Sequence, residues 1–414
     1  MGILYVLAFW TGVMQDSLIV TSGAVLATAF EDESYVSLGE RIDYYQRNSH
    51  HVSYLDHMEL RTRTRNFNPR EQMYRFRTYT NSPSERKYSR EYLNTSFLEQ
   101  ELEKKDRLNK LIKQRYHLIA RKISDQRQLA VMMELETLFK ERKTVFERSI
   151  SNLDFDFQDL LKAEEEYDRF VLELIELERS TKHHDQELGD LLGLQGPLAV
   201  SDDGLVSAPD IENFLKNVQF DVEQENFYYD RKRIDKELAE LDFLEKRASQ
   251  RNPVKFFEAS YRDVLGAGIE RALAVGIGFR IPVGSAGKGS LIDRQFRIMK
   301  EESMLKETSL ILEEEISQKI HVLETLLKKY NTLSGMIEGN TQQRSLEKYR
   351  SIEGLSPLIL LKVKENILLK QQMAIALEKE ILTEYIELLD LSGWLVKEPF
   401  VNYFSSSELL LIQH

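Results

Sequence analysis

The chain has 414 residues, 42% hydrophobic and 30% charged, with 56 basic side chains against 68 acidic ones. The apolar fraction excludes global disorder, and the net charge of −12 argues against a general nucleic-acid binder, which would need a basic face. The sequence contains no cysteine, which excludes disulfides, thiolate nucleophiles, zinc–cysteine sites and iron–sulfur clusters.

The N-terminal segment has some features of an export signal. Residues 3–14 form an apolar stretch of signal-peptide size, and residues 27–29 (Ala-Thr-Ala) offer a small-residue cleavage pattern. The positively charged start of such a signal is missing, because the first basic residue is Arg41. Residues 1–29 are therefore an atypical signal segment, or else an ordinary buried segment or a misassigned start.

Glycine and proline, which interrupt helices, are unevenly distributed. No glycine lies between Gly39 and Gly189, whereas both residue types crowd into residues 189–209 and 253–289. This pattern predicts very long helices joined by a few short breaks. A helix over residues 84–149 would measure about 100 Å, too long for a compact domain, so we expect an elongated protein.

A seven-residue repeat of apolar pairs in residues 357–392 predicts a coiled-coil helix. Its pairs are Leu360-Leu361, Ile367-Leu368, Ala374-Ile375, Ile381-Leu382 and Leu388-Leu389. Residues 84–149 carry a looser repeat, which Lys104-Lys105 and Asp125-Gln126 interrupt. Together these repeats predict long antiparallel coiled-coil helices.

Two further regions, residues 58–79 and 254–283, are predicted to form strand hairpins. In residues 273–283 every odd position is apolar, so one face of that strand suits lipid or a protein core. In the earlier hairpin, arginines project from one face of each strand, namely Arg61, Arg63, Arg65, Arg75 and Arg77. The sequence lacks the run of about 18 apolar residues that predicts a transmembrane helix, but a transmembrane β-barrel needs no such run.

The order of these elements repeats once along the chain, which is a rare arrangement. The first repeat, residues 30–200, contains the strand hairpin 58–79 and a helical hairpin at 84–190. The second repeat, residues 201–393, contains a helix at 211–250, the strand hairpin 254–283 and a helical hairpin at 288–392. A C-terminal tail covers residues 394–414. The predicted fold is mainly α with a small β part, built as an internal two-fold repeat.

This order resembles the TolC-like outer-membrane efflux protein family. Residues 275–284 (VGIGFRIPVG) look like the family's last barrel strand entering a helix. Residues 349–361 (YRSIEGLSPLILL) are similar to its turn between two helices at the periplasmic tip. The resemblance covers residues 208–393 well and residues 55–190 more loosely. The chain departs from the family upstream of Met58, where few residues are left for a rising helix.

The resemblance implies a homotrimer in which each copy gives four strands to one 12-strand β-barrel, continued by a helical α-barrel. It also implies a bacterial outer-membrane location extending into the periplasm, contact with outer-membrane lipid, and no nucleic-acid partner. The function implied is a passive exit duct of a tripartite efflux or type I secretion system. Its partners would be a periplasmic adaptor protein and an inner-membrane pump.

Site residues follow from the alternation and the resemblance together. The lumen-lining candidates are Arg61, Arg63, Arg65, Arg75, Arg77 and Arg280. The lipid-facing candidates are Val275, Ile277, Phe279 and Ile281, and the periplasmic-tip candidates are Asn152, Asp154, Gly354 and Ser356. One hypothesis is that the arginines form a cationic collar that favours anionic solutes. The alternative is that they pair with neighbouring acids, namely Glu59, Glu71, Glu258 and Asp263.

Catalytic patterns are poor in this sequence. Residues 284–290 (GSAGKGS) follow a strand but fail the phosphate-loop pattern, and the pairs His50-His51 and His183-His184 lack a metal-binding spacing. We predict a non-enzyme with no cofactor and no metal site. The alternative functions are an elongated coiled-coil scaffold, which would leave the alternation at 273–283 unexplained, or a periplasmic adaptor protein without channel activity.

Overall fold

The computed structural model describes residues 18–48, 52–64, 72–149, 157–202, 204–262, 273–279, 287–338 and 357–405. The helices are α1 (Ser22–Glu31), α2 (Glu33–Arg47), α3 (Pro83–Ser149), α4 (Phe157–Leu192), α5 (Ala208–Asn217), α6 (Val222–Glu225), α7 (Phe227–Arg251), α8 (Lys288–Glu338) and α9 (Pro357–Leu391), followed by a 3-10 turn at Trp394–Val396. The strands are β1 (Leu18–Val20), β2 (Leu55–Thr64), β3 (Gln72–Thr80), β4 (Leu198–Val200), β5 (Val254–Arg262) and β6 (Leu273–Phe279). The predicted class, mainly α with a small β part, is confirmed.

The longest helix, α3, begins at a well-defined N-terminus. Pro83 occupies its first position, and the Ser82 hydroxyl accepts a hydrogen bond from the Glu85 backbone N–H at 3.1 Å. The Glu85 carboxylate accepts one in return from the Ser82 backbone N–H at 3.2 Å. This capping box satisfies two backbone donors that the first helical turn leaves free. The glycine-free sequence behind it then continues as helix for 67 residues.

These elements belong to two compact units. Unit 1 comprises Met1–Val36, Asp106–Asn226 and Leu312–His414. Unit 2 comprises Ser37–Lys105 and Phe227–Ile311. Each unit therefore draws on both halves of the internal repeat, and each half supplies segments to both units.

Each unit has its own sheet. In unit 2, four strands form an antiparallel sheet in the order β2-β3-β5-β6. In unit 1, β1 pairs in parallel with β4, with Leu18 opposite Leu198. This second sheet was not predicted from the sequence, because a three-residue strand is too short to display a period-two pattern.

The core of unit 1 contains a cluster in which α3, α4 and α9 meet. Its buried members are Met132 and Leu135 of α3, Phe170 of α4 and Leu368 of α9. Leu368 belongs to the seven-residue repeat predicted from the sequence. The repeat thus identifies the face of α9 that is buried against the other helices.

The interruption of the repeat at Asp125-Gln126 coincides with a buried polar layer in unit 1. His184 Nδ1 of α4 lies 2.7 Å from Asp125 Oδ2, and both side chains are buried. The Gln126 side-chain oxygen accepts a hydrogen bond from the Val200 backbone N–H of β4 at 3.3 Å. Polar residues replace the coiled-coil pair here because α3 contacts a strand end rather than a helix alone.

Residues 18–31, close to the N-terminus, belong to unit 1. Val25, Leu26 and Ala29 of α1 are buried. Arg115 of α3 donates a hydrogen bond to the Thr28 hydroxyl at 3.4 Å and forms an ion pair with Asp32 at 3.1 Å. This packing favours the buried-segment interpretation for residues 18–31.

The first part of the predicted C-terminal tail packs against α3. Phe404 is buried, and its ring centroid lies 4.7 Å from that of Tyr116 of α3. The Tyr116 hydroxyl accepts a hydrogen bond from the Tyr403 backbone N–H at 2.9 Å. Residues 394–405 therefore form part of unit 1.

The structure differs from the single helix predicted at 211–250. Three helices, α5, α6 and α7, occupy this region. Asp221 caps α6 by accepting hydrogen bonds from the backbone N–H groups of Glu223 and Gln224, each at 3.1 Å. Asn226 donates a hydrogen bond to the Leu391 carbonyl at 2.6 Å. These contacts break the helix although the segment contains neither glycine nor proline.

Candidate functional site: a two-faced sheet and an open row of helices

The sheet of unit 2 carries charged side chains on one face. Its register sets Glu59 opposite Arg77 and Arg77 opposite Glu258, and it sets Arg61 opposite Arg75. Because side chains on a strand alternate between two faces, all of these residues share one side. We call this side the arginine face; its charged residues are Glu59, Arg61, Arg63, Arg75, Arg77, Glu258 and Arg262.

The opposite side of the sheet is apolar and exposed. In register across it lie Leu60, Phe76, Ala259 and Val275, one from each strand. We call this side the apolar face; its large exposed residues are Met58, Leu60, Tyr74, Phe76, Phe257, Tyr261, Leu273, Val275, Ile277 and Phe279. An exposed apolar patch of this extent, shared by four adjacent strands, is typical of a surface that contacts lipid or another protein.

Ion pairs bind part of the arginine face together. Glu258 lies between two arginines, with its carboxylate oxygens 3.0 Å from Arg75 Nε and 2.5 Å from Arg77 Nε. Arg61 forms an ion pair with Glu59 on its own strand. Two of the four acids in the alternative prediction are therefore partners of these arginines, while Glu71 and Asp263 lie outside the described residues.

Strand β6 adds almost no side-chain volume to the arginine face. Its residues on that side are Ala274, Gly276 and Gly278, opposite Ser260, Glu258 and Phe256 of β5. The Phe256 ring occupies the space where a Cβ on Gly278 would lie, with the nearest ring atom 2.4 Å from that position. Glycine is therefore required at position 278 so that the ring of Phe256 can lie across β6.

The helices of unit 2 stand in the same order as its strands. Arg41 of α2 donates a hydrogen bond to Gln100 of α3 at 3.4 Å. Ser89 of α3 donates one to Glu245 of α7 at 2.9 Å. Arg294 of α8 pairs with Asp242 of α7 at 2.9 Å. The row α2-α3-α7-α8 thus follows β2-β3-β5-β6.

Both ends of this row present apolar side chains to solvent. On α8, Ile292, Phe296 and Met299 are exposed at a spacing of four and three residues, which places them on one helix face. On α2, Tyr44 and Tyr45 are exposed. The corresponding sheet edges, β6 and β2, each have one strand neighbour within the described sheet.

A charged network joins α3 to α9 inside unit 1. Lys113 Nζ lies 2.8 Å from Glu387 and 2.7 Å from Asp390, and Asp390 also accepts a hydrogen bond from Asn109. A hydrogen bond from His117, with support from Lys113, lowers the pKa of Glu387 to about 2. Burial opposes charge on Lys113, but the two carboxylates outweigh it and raise the pKa of Lys113. The network therefore favours the charged forms of Glu387 and Lys113.

The sequence matches no family model and no curated protein. The fold, in contrast, has well-matched solved relatives. VceC, an outer-membrane protein of Vibrio cholerae, matches with a TM-score of 0.66 at 13% identity over 89% of this chain and 95% of VceC. The chain has the TolC-like fold. A membrane protein of Pseudomonas aeruginosa matches with a TM-score of 0.68 at 12% identity over 92% of this chain and 95% of its own.

A third TolC-like structure is the open state of the MtrE outer-membrane channel of Neisseria gonorrhoeae. It matches with a TM-score of 0.66 at 13% identity, over 91% of this chain and 88% of MtrE. The fold resemblance drawn from element order is thus confirmed at an identity too low for residue-by-residue matching. No helix in the described part of the chain is both long and apolar enough to cross a membrane.

The TolC-like sheet contains seven of the fourteen site residues predicted from the sequence. Arg61, Arg63, Arg75 and Arg77 lie on the arginine face, and Val275, Ile277 and Phe279 lie on the apolar face. Other predicted residues lie outside the described residues, namely Arg65, Arg280, Ile281, Asn152, Asp154, Gly354 and Ser356.

Arg262 was not predicted to lie on the arginine face. Its strand shows mixed alternation, so its own pattern does not assign it to a side. The strand register places Arg262 on the arginine face, because Arg262 pairs with Met73, which in turn pairs with Arg63.

Proposed function

We propose that three copies of this chain form a channel in a bacterial outer membrane that continues into the periplasm as a helical tunnel. The observation that carries the proposal is the two-faced sheet of unit 2. One face exposes apolar side chains from all four strands, while the other concentrates arginines. Such a sheet suits a wall between lipid and water, with the apolar face outward and the arginine face towards the lumen.

Closure of the sheet is a physical requirement of this proposal. Strands β2 and β6 are the edges of the described sheet, and lipid cannot satisfy the backbone groups of an open edge. Pairing β6 of one copy with β2 of the next would remove every edge. The strands alternate in direction across the sheet, so this new pair would also be antiparallel.

The helices support the same assembly. Because the row α2-α3-α7-α8 follows the strand order, joining β6 to β2 of the next copy also brings α8 beside the next copy's α2. These are the two helices whose outer faces expose Phe296 and Tyr44. An α8–α2 seam between copies would cover both apolar surfaces.

The role we propose is a passive exit duct for solutes, working with a periplasmic adaptor protein and an inner-membrane pump of a tripartite efflux or type I secretion system. The matched structures of the outer-membrane protein VceC and the outer-membrane channel MtrE support the channel part of this proposal. The charge balance of the chain gives no support to a nucleic-acid partner.

The test is fractionation of cells that produce the chain, followed by detergent extraction and mass measurement. We expect the protein in the outer-membrane fraction, as particles of three chains of 48.5 kDa each. The extracted particle should then conduct ions in a planar lipid bilayer. A monomer or dimer recovered without detergent would refute the channel and would favour the coiled-coil scaffold.

A further inference from the structure

Charge is distributed unevenly along the arginine face. Of the charged cross-strand rows on this face, the one nearest the helices contains Glu59, Arg77 and Glu258, in which one arginine lies between two acids. The next row contains Arg61 opposite Arg75, and the row beyond it contains Arg63 and Arg262 on either side of Met73. Within the described residues, these two outer rows contain no acidic side chain.

The outer rows depart from the usual pattern of cross-strand pairs. Like charges placed directly opposite each other, as in the pair Arg61 and Arg75, destabilise a sheet. These two arginines relieve the repulsion by pairing with Glu59 and Glu258 from the neighbouring row. Arg63 and Arg262 are exposed, and the structure gives them no ion pair among the residues that it describes.

The net charge of this face is opposite to that of the whole chain. Within the described residues, the five arginines and two glutamates of the arginine face give a net charge of +3 per copy, against −12 for the chain. In a trimer, three such faces would surround one lumen. The field of the ring would extend about one Debye length into it, which is about 10 Å at 0.1 M salt.

We propose that Arg63 and Arg262 form an anion-selecting rim at the end of the sheet away from the helices, and that the solutes it favours carry phosphate, sulfate or carboxylate groups. This inference rests on the proposed channel. The guanidinium group matches such oxyanions with two parallel hydrogen bonds. Because both arginines are solvent-exposed, each anion would be held weakly and released quickly, as conduction requires. Arg77, between two acids, stabilises the sheet instead.

The experiment measures the reversal potential of the reconstituted protein in a gradient of potassium chloride. We expect the unmodified channel to prefer chloride. The double variant Arg63→Gln and Arg262→Gln removes six charges from the trimer, and we expect the chloride-to-potassium permeability ratio to fall about fourfold at 0.1 M salt. At 1 M salt the difference should nearly vanish, because the Debye length shortens to about 3 Å.

Two matched variants separate charge from structure. Arg63→Lys with Arg262→Lys keeps the charge, so it should retain most of the selectivity. Glu59→Gln removes an acid from the same face, so the ratio should rise rather than fall. If the double glutamine variant conducts ions with the same chloride-to-potassium permeability ratio as the unmodified channel, the rim is refuted but the channel is not. A lack of any conductance in the unmodified protein would overturn the channel, and the rim with it.

Discussion

A substitution at Val275 can test whether the apolar face contacts lipid. Val275 lies in register with Leu60, the sixth of the ten residues of β2. It therefore lies about midway along the length of the strands. Its side chain is 78% exposed in the single chain. In water, Val275→Arg would change stability by no more than about 0.5 kcal/mol, as at most exposed sites.

In a membrane the same substitution destabilises the protein strongly. An arginine facing lipid near the bilayer centre destabilises a barrel by about 2–4 kcal/mol, so three copies would lose about 6–12 kcal/mol. We therefore expect Val275→Arg to abolish the proposed trimer, measured by gel mobility of the unheated detergent extract. The yield in the outer-membrane fraction should fall with it.

The neighbouring residue supplies the control for this test. Gly276 lies on the arginine face, opposite Glu258, and a Cβ added there would meet the Glu258 Cβ at an ordinary 3.9 Å. Gly276→Arg therefore places the same charge on the same strand, beside an acid and in water. We expect a normal trimer yield. Equal behaviour of the two variants, whether both assemble or both fail, would refute the assignment of the apolar face to lipid.

Three further predictions concern the network, the seam and the core. Glu387→Gln should destabilise the folded protein at pH 7 by about 1–2 kcal/mol. The full shift of the Glu387 pKa from 4.5 to about 2 corresponds to about 3.4 kcal/mol, and the partial exposure of the side chain reduces this value. Because the pKa of Glu387 is lowered in the folded state, its carboxylate stabilises the fold above pH 4.5, and this stabilisation is lost as the pH falls towards 2. Thermal unfolding measured over this pH range should show the loss. In this cysteine-free chain, Tyr44→Cys combined with Phe296→Cys or Met299→Cys should give oxidative cross-links between copies, seen as a covalent ladder up to trimer. Phe170→Ala, at a side chain 5% exposed in the α3–α4–α9 cluster, should cost about 3–5 kcal/mol in denaturant unfolding.

Each of these predictions has a result that would contradict it or a control variant. A Glu387→Gln effect that is the same at pH 7 and pH 2 would show that the carboxylate charge is not what stabilises the network. Cross-linked dimers that never progress to trimers would contradict a closed ring of three. Glu173→Ala, at an exposed position on α4 close to Phe170, should leave the unfolding transition within about 0.5 kcal/mol.

Local sequence pattern determined the long helices and the two faces of the sheet. The glycine-free stretch and the seven-residue repeat define α3 and α9, because helix formation and its buried stripe depend on residues three to four apart. The odd-numbered apolar residues of β6, such as Val275, mark one face by the same kind of local periodicity. Element order then sufficed to indicate the TolC-like fold at sequence identities of 13% or less.

Tertiary structure decided what depends on partners distant in sequence. The pairing of β1 with β4, the break of the predicted 211–250 helix through the bond from Asn226 to Leu391, and the burial of His184 against Asp125 all join distant segments. The place of Arg262 likewise depends on strand register rather than on its own strand. Which of the predicted arginines pair with acids in the described part of the sheet is set across strands, and for that reason the charge rows behind the proposed rim became visible only in the fold.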